Sequence, residues 1–198
     1  KVHLCAQYED GEIIETEDLI DSAFHKTQRI EKVYLKPRAK ANPDAVEALK
    51  KAEYVILGPG DLYTSLIPNL IVDGIKEALS QSTAKIIYIS NLMTKPGQTP
   101  HYSIMDHVHD IEQYLGKKIS ILLINSEPIA PSVVQYYKQY GAEQVKDDVK
   151  NTDYTVIRQN VLVPGIVKQS ASDEVLRSIL RHDPLKIAHI IHDIIETT

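Results

Sequence analysis

The stretch Tyr54-Val55-Ile56-Leu57-Gly58-Pro59-Gly60-Asp61-Leu62-Tyr63-Thr64-Ser65-Leu66-Ile67-Pro68-Asn69 decides the fold. Four apolar residues stop at a Gly-Pro-Gly-Asp turn, a small polar segment follows, and an amphipathic pattern opens near Pro68. Strand, tight loop and helix in that order are how an α/β protein builds an anion site. Gly58 and Gly60 can take positive φ and leave their N–H groups uncovered by a Cβ. The first turn of a following helix adds unpaired N–H groups and a partial positive charge, worth about 0.3–1 kcal/mol to an anion. Micromolar binding needs about 8 kcal/mol, so several N–H bonds and a shaped pocket have to supply the rest. The spacing is neither the P-loop nor the dinucleotide glycine pattern. On pattern alone a ligand loop and a plain strand-to-helix turn both stay open.

Two further apolar runs, residues 86–89 and 119–124, are as continuous as the first, which suits parallel strands covered on both faces. Between the runs the apolar spacing predicts helices over 68–81 and 103–115, the second stopped by Gly116. Alternation of strand and helix predicts an α/β fold, Rossmann-like, with a largely parallel sheet and helices on both faces. Upstream, Lys1-Val2-His3-Leu4-Cys5-Ala6 reads as a strand that turns at Glu9-Asp10-Gly11 into Glu12-Ile13-Ile14, and residues 30–35 alternate as a half-buried strand. Asn42-Pro43-Asp44 is a helix start, with Asn42 as N-cap and Pro43 in the first turn. After Asn125 a short helix is predicted over 132–140, ending at Gly141. Polar turns and short strands follow over 143–168, then a segment over 173–180 and a final helix over 184–196. No repeat or linker interrupts the chain, so residues 1–198 read as a single domain. The first residues look like the second half of a sheet element and no initiator Met precedes them, so part of the natural protein is expected to lie upstream.

Composition narrows the function classes. The 198 residues are 43% hydrophobic and 25% charged, which fits a globular protein with an ordinary core. No apolar run reaches the length of a membrane span and no signal peptide is visible, so a cytoplasmic setting is expected. A net charge of −5 gives no support for nucleic-acid binding. The single Cys, Cys5, excludes an internal disulfide and a thiolate-rich zinc site. Thr64 and Ser65 lie in no nucleophile elbow, and no base can be assigned to either.

In an open parallel sheet, ligands sit outside the carboxyl ends of the strands. Three successive predicted strands end in polar segments: Gly58-Pro59-Gly60-Asp61, residues 90–99, and Asn125-Ser126-Glu127-Pro128. All three should open on one edge. Asp106, His107, His109 and Asp110 could suggest a metal on a helix face, but Asp near a helix start more simply caps or is solvated. Asp183 is well placed as an N-cap before Pro184, and Arg181 offers a five-donor fork to a phosphate or to a structural carboxylate.

Three segments then carry a resemblance: LGPGDLYTSLIPNLIVDGI (57–75), SNLMTKPGQTPHYSIMDHV (90–108) and LRHDPLKIAHII (180–191). Together they resemble the family containing the YvcK-like gluconeogenesis factors and the 2-phospho-L-lactate transferase CofD, nearer to the first branch. The resemblance implies a Rossmann-like fold whose upstream part holds another glycine-rich nucleotide loop. It implies binding of a nucleotide or nucleotide-sugar such as UDP-N-acetylglucosamine, in a protein that regulates carbon metabolism, cell shape and cell-wall synthesis. The other branch implies transfer of a phospholactyl group to a deazaflavin, with a guanosine nucleotide and magnesium. By position, the ligand-binding candidates are Gly58, Pro59, Gly60, Asp61, Tyr63, Thr64, Ser65, Asn69, Asn91, Thr94 and Arg181. Asp61 stands where the YvcK-like pattern usually has Ser. A carboxylate there repels an anion and weakens nucleotide binding unless it faces away, caps the next turn, or holds magnesium with a bound nucleotide. No catalytic residue, protein-held metal or certain cofactor is assigned, and a homo-oligomer is compatible with the sequence.

Overall fold

The computed structural model describes residues 1–150, 153–165 and 179–197. The chain starts as a hairpin. His3–Tyr8 (β1) turns through Gly11, at φ +84°, into Ile13–Glu15 (β2). A short helix, Glu17–Asp21 (α1), leads on to Ile30–Lys36 (β3), which pairs with the other side of β1. These strands form an antiparallel sheet in the order β2-β1-β3, separate from the parallel sheet that the continuous apolar runs predict. Cys5, in the middle of β1, is fully buried, as its apolar neighbours suggest.

Pro43–Lys51 (α2) begins where the Asn-Pro pair puts it, with the Asn42 side chain accepting from the Asp44 N–H at 2.9 Å. Four parallel strands then follow in simple order: Tyr54–Leu57 (β4), Lys85–Ile89 (β5), Ile121–Asn125 (β6) and Thr155–Gln159 (β7). Their side chains alternate between two cores, as the two-residue period of a strand requires. Ile86, Tyr88, Leu122 and Ile124 meet the helices of one face and the antiparallel sheet; Ile87, Ile89, Ile121 and Leu123 meet Ile187, Ile190 and Ile194 of the last helix, Pro184–Thr197.

The helix predicted over 68–81 is two pieces, preceded by a turn outside that span. A π-helical turn spans Leu62–Leu66, Ile67–Leu70 (α3) adds one turn, and the chain breaks before Ile75–Gln81 (α4). The break has a tertiary cause. Asp73 donates its N–H to the Ala39 carbonyl and accepts from the Ala41 N–H, both at 2.9 Å, while its carboxylate takes the Arg38 guanidinium at 2.7 Å. Gly74, at φ +101°, lets the chain leave that contact. Ile104–Leu115 (α5) matches its prediction: Ser103 and Asp106 form a reciprocal capping box, and Gly116 ends the helix at φ +68°. Pro131–Lys138 (α6) occupies the predicted short-helix region, and the last helix becomes α7. The segment predicted over 173–180 lies outside the described residues except at its last two positions. Among the described residues no helix is long and apolar enough to cross a membrane.

Candidate functional site

Because β4 to β7 run parallel, their carboxyl ends share one edge, and the Gly-Pro-Gly-Asp turn stands there beside the end of β5. A Cβ on Gly58, whose φ is +89°, would lie 3.0 Å from the Ile89 carbonyl oxygen, so only glycine lets the turn approach so closely. The Gly58–Pro59 peptide is cis. Asn91 holds the turn from the neighbouring strand. Its Nδ2 donates to the Gly60 carbonyl at 2.8 Å, and its Oδ1 accepts from the Tyr88 hydroxyl at 2.8 Å. Burial of Tyr88 pushes its phenol well above the ordinary range, so it remains a donor. A core hydroxyl, a strand-end amide and a loop carbonyl thus form one connected chain.

Backbone donors give the loop its chemistry. Ser65 and Leu66 return their N–H groups to the Asp61 carbonyl at 2.9 and 3.0 Å. Among the described residues, no protein acceptor meets the N–H groups of Gly60, Leu62, Tyr63 and Thr64. Such successive unpaired N–H groups suit an anion. The helix dipole anticipated for this site is weak, because the following elements are a five-residue π-helical turn and a four-residue helix.

Asp61 corrects the capping reading, since its side chain makes no cap hydrogen bond. Its Oδ2 instead accepts from the Lys95 ammonium at 3.2 Å, and the same ammonium donates to Asp21 at 2.9 Å. Gln98, fully buried, donates from Nε2 to Asp21 at 3.2 Å. Burial pulls the Lys95 ammonium toward lower pKa, but the charges and hydrogen bonds of Asp61 and Asp21 outweigh it and hold the group above its ordinary value. Lys95, Asp21 and Gln98 were not among the sequence candidates. Lys95 and Gln98 lie in the polar segment after β5, where a signal existed; Asp21 reaches the loop only through the fold.

The remaining candidates divide. Pro59, Ser65 and Asn69 are exposed around the turn, and Asn69 donates back to the Ser65 carbonyl at 2.7 Å. The Thr64 hydroxyl lies 3.4 Å from the Gln98 Nε2. Tyr63 points inward: its hydroxyl donates to Asp110 at 2.6 Å and stands 3.0 Å from the Tyr102 hydroxyl, which also donates to Asp110. Burial raises the Tyr63 pKa far above normal, so the side chain is a core donor and contributes to the loop only through its N–H. Thr94 is likewise buried, its hydroxyl accepting from the Glu143 N–H at 2.9 Å.

The Arg181 segment is fastened to the same edge by its neighbours. The His182 Nε2 lies 3.1 Å from the Ser90 carbonyl at the end of β5, and the Arg181 carbonyl accepts from the Val163 N–H at 3.0 Å. Burial lowers the His182 pKa, and because the Ser90 carbonyl can only accept, Nε2 is the donor in this contact. Asp183 caps α7, accepting from the Leu185 N–H at 2.9 Å.

Asp106 serves its capping box and the Arg29 guanidinium, and Asp110 takes the two phenols. Among the described residues no group of three or more His, Cys, Asp or Glu is arranged to hold a metal.

Comparison with known proteins agrees with this architecture. Residues 1–162 match the family model described as 2-phospho-L-lactate transferase CofD. A putative gluconeogenesis factor of Thermotoga maritima is 37% identical over 191 residues, covering 96% of this chain and 58% of its own length. The gluconeogenesis factor of Bacillus subtilis is 34% identical, covering 98% of this chain and 59% of its own. The crystal structure of protein BH3568 from Bacillus halodurans superposes with a TM-score of 0.82 at 33% identity, over 96% of this chain and 58% of that one. The chain therefore spans somewhat more than half the length of the relatives it matches.

Proposed function

We propose that this chain, which belongs to the CofD family, takes a nucleotide-sugar of the UDP-N-acetylglucosamine kind at the carboxyl edge of its parallel sheet. In this reading it is part of a cytoplasmic regulatory protein of the gluconeogenesis-factor type, linked to carbon metabolism, cell shape and cell-wall synthesis. The observation that carries the reading is the run of unpaired N–H groups at Gly60, Leu62, Tyr63 and Thr64, beside the Lys95 ammonium. Hydrogen bonds to a charged group contribute about 1.5–3 kcal/mol each. Four or five of them therefore reach the roughly 8 kcal/mol of micromolar binding without a helix dipole. Among the described residues nothing at the loop is arranged as nucleophile and base, which favours binding over turnover.

Magnesium in the transferase branch of the family would need carboxylates and phosphate oxygens. Among the described residues Asp21 and Asp61 are the carboxylates at the loop, but both already hold the Lys95 ammonium. The present arrangement fits an ammonium better than a divalent ion.

Calorimetric titration of the chain with UDP-N-acetylglucosamine, with and without magnesium and beside GDP, tests the reading. Saturable binding without turnover is expected, weakened at least about tenfold by Gly58→Ala, whose Cβ displaces the turn from the Ile89 carbonyl. Binding unchanged in that variant, with its fold intact by circular dichroism, would remove the loop from the site. Magnesium-dependent release of a nucleoside monophosphate would move the protein to the transferase reading.

A further inference from the structure

We propose that Lys95 is the cation that meets the ligand's diphosphate and that Asp61 is its built-in competitor. Together they select a diphosphate esterified at both ends over one with a free terminal phosphate. This inference rests on the reading of the loop as a diphosphate site and extends it to the charge of the ligand.

An ammonium has three N–H bonds, and Lys95 directs them toward Asp61 at 3.2 Å and Asp21 at 2.9 Å, which leaves one for a ligand. Asp21 is pinned by Gln98, itself fully buried, so its grip on Lys95 is fixed on two sides. The Lys95 backbone is fixed as well, its N–H donating to the Thr99 hydroxyl at 2.8 Å and its carbonyl accepting from the Thr99 N–H at 2.8 Å. Asp61 has no comparable second anchor: its carboxylate makes no cap hydrogen bond, and although it is as exposed as Asp21, at 39%, no amide holds it as Gln98 holds Asp21. Of the two carboxylates, Asp61 is the one able to move.

Charge then decides what enters. Two carboxylates and one ammonium leave the loop mouth negative by one, while Leu62, Tyr63 and Thr64, next to Asp61 in the chain, offer the unpaired N–H groups. An anion using those donors comes up against the Asp61 carboxylate. A diphosphate esterified at both ends carries about two negative charges, and one with a free terminal phosphate about three, since a terminal phosphate holds about 1.5 to 2. The second is repelled more strongly by Asp61 and gains correspondingly more from its removal. Because both carboxylates are more than a third exposed, water screens the repulsion, and an effect of about tenfold in affinity is the expected scale.

The test measures binding of a UDP-sugar and of UDP to the chain in metal-free buffer, for wild type, Asp61→Ser, Asp61→Asn, Lys95→Gln and the Lys95→Gln/Asp61→Ser double variant. Thermal melts report folding in parallel. Wild type should prefer the UDP-sugar. Each Asp61 variant should tighten UDP by about tenfold and the UDP-sugar by less, Lys95→Gln should weaken both, and the gain from Asp61→Ser should shrink once Lys95 is absent. UDP binding that appears only in the Asp61 variants would support the inference equally. Asp61 variants that bind both ligands as wild type does would make the Lys95–Asp61 pair purely structural and overturn the inference, leaving the diphosphate site standing. Failure of wild type and every variant to bind either ligand would overturn both.

Discussion

Replacing Gly97 by Ala should be among the most damaging single-methyl additions in this molecule. Gly97 sits in the Lys95–Thr99 turn at φ +76°, a region that costs an L-residue about 1–2 kcal/mol. A Cβ there would fall 2.2 Å from the Ala23 carbonyl oxygen and 2.7 Å from its carbon. Both are backbone atoms, so one segment must move, and overpacking of this kind costs about 1–3 kcal/mol. The movement also threatens the hydrogen bond from the buried Tyr8 hydroxyl to the Gly97 carbonyl, 2.9 Å long. The combined loss is about 3–5 kcal/mol, a large part of the roughly 5–15 kcal/mol that stabilises a typical domain. Gly11 supplies the control: its φ is +84°, but nothing lies within 4 Å of its would-be Cβ. Urea unfolding should therefore show Gly11→Ala losing about 1–2 kcal/mol and Gly97→Ala at least about 2 kcal/mol more. Equal losses for the two variants would refute the claim that close approach to Ala23, beyond the positive φ, makes this position require glycine.

Three further outcomes are expected. Asn91→Ala leaves the buried Tyr88 hydroxyl and the Gly60 carbonyl without their partner, so it should cost about 1–3 kcal/mol in urea unfolding and loosen ligand binding; a Tyr88→Phe/Asn91→Ala double variant should recover part of the stability but not the binding. Tyr63→Phe removes one of two phenols from the Asp110 carboxylate and should cost about 1.5–3 kcal/mol, with little effect on ligand affinity if Tyr63 serves the loop only through its backbone. His107 is 1% exposed, its Nδ1 lies 2.8 Å from the Ser103 carbonyl, and its Nε2 has no partner among the described residues. Burial depresses its pKa, so the folded state binds fewer protons than the unfolded one; this contribution is fully present above about pH 6.5 and is lost as pH falls from there through the folded value. His107→Leu should flatten the stability profile over that window, and an unchanged slope would assign it to other groups, His182 among them.

Much of the scaffold was legible because its signals are local. The apolar runs fixed the three strands from β4 to β6 as parallel, since a strand covered on both faces has no polar side to alternate with. Asn42, Ser103, Gly116 and Asp183 marked helix ends through hydrogen bonds or φ values that depend on a few neighbouring residues. The break between α3 and α4 was hidden for the opposite reason. Its apolar spacing is helical throughout, and only contact with Ala39, Ala41 and Arg38, more than thirty residues away, draws Asp73 out of the helix. Gly74 was a local hint, but an isolated glycine in a helical pattern does not require a break.

The candidate site shows the same division at the level of charge. Glycine spacing and strand ends located the loop, and the anomaly of Asp61 was visible as a carboxylate where an anion should bind. What the sequence could not supply was the partner. Lys95 and Asp21 are separated from Asp61 by 34 and 40 positions, and only the packing of α1 and the post-β5 segment against the loop brings the three charges together. Asp61 therefore need not mark a loop that has lost its anion: with Lys95 beside it, the same carboxylate becomes a means of discriminating among anions. Were Asp61 simply a damaged site, its replacement by Ser would restore all diphosphates alike; if it discriminates, the gain must scale with the charge of the ligand and depend on Lys95.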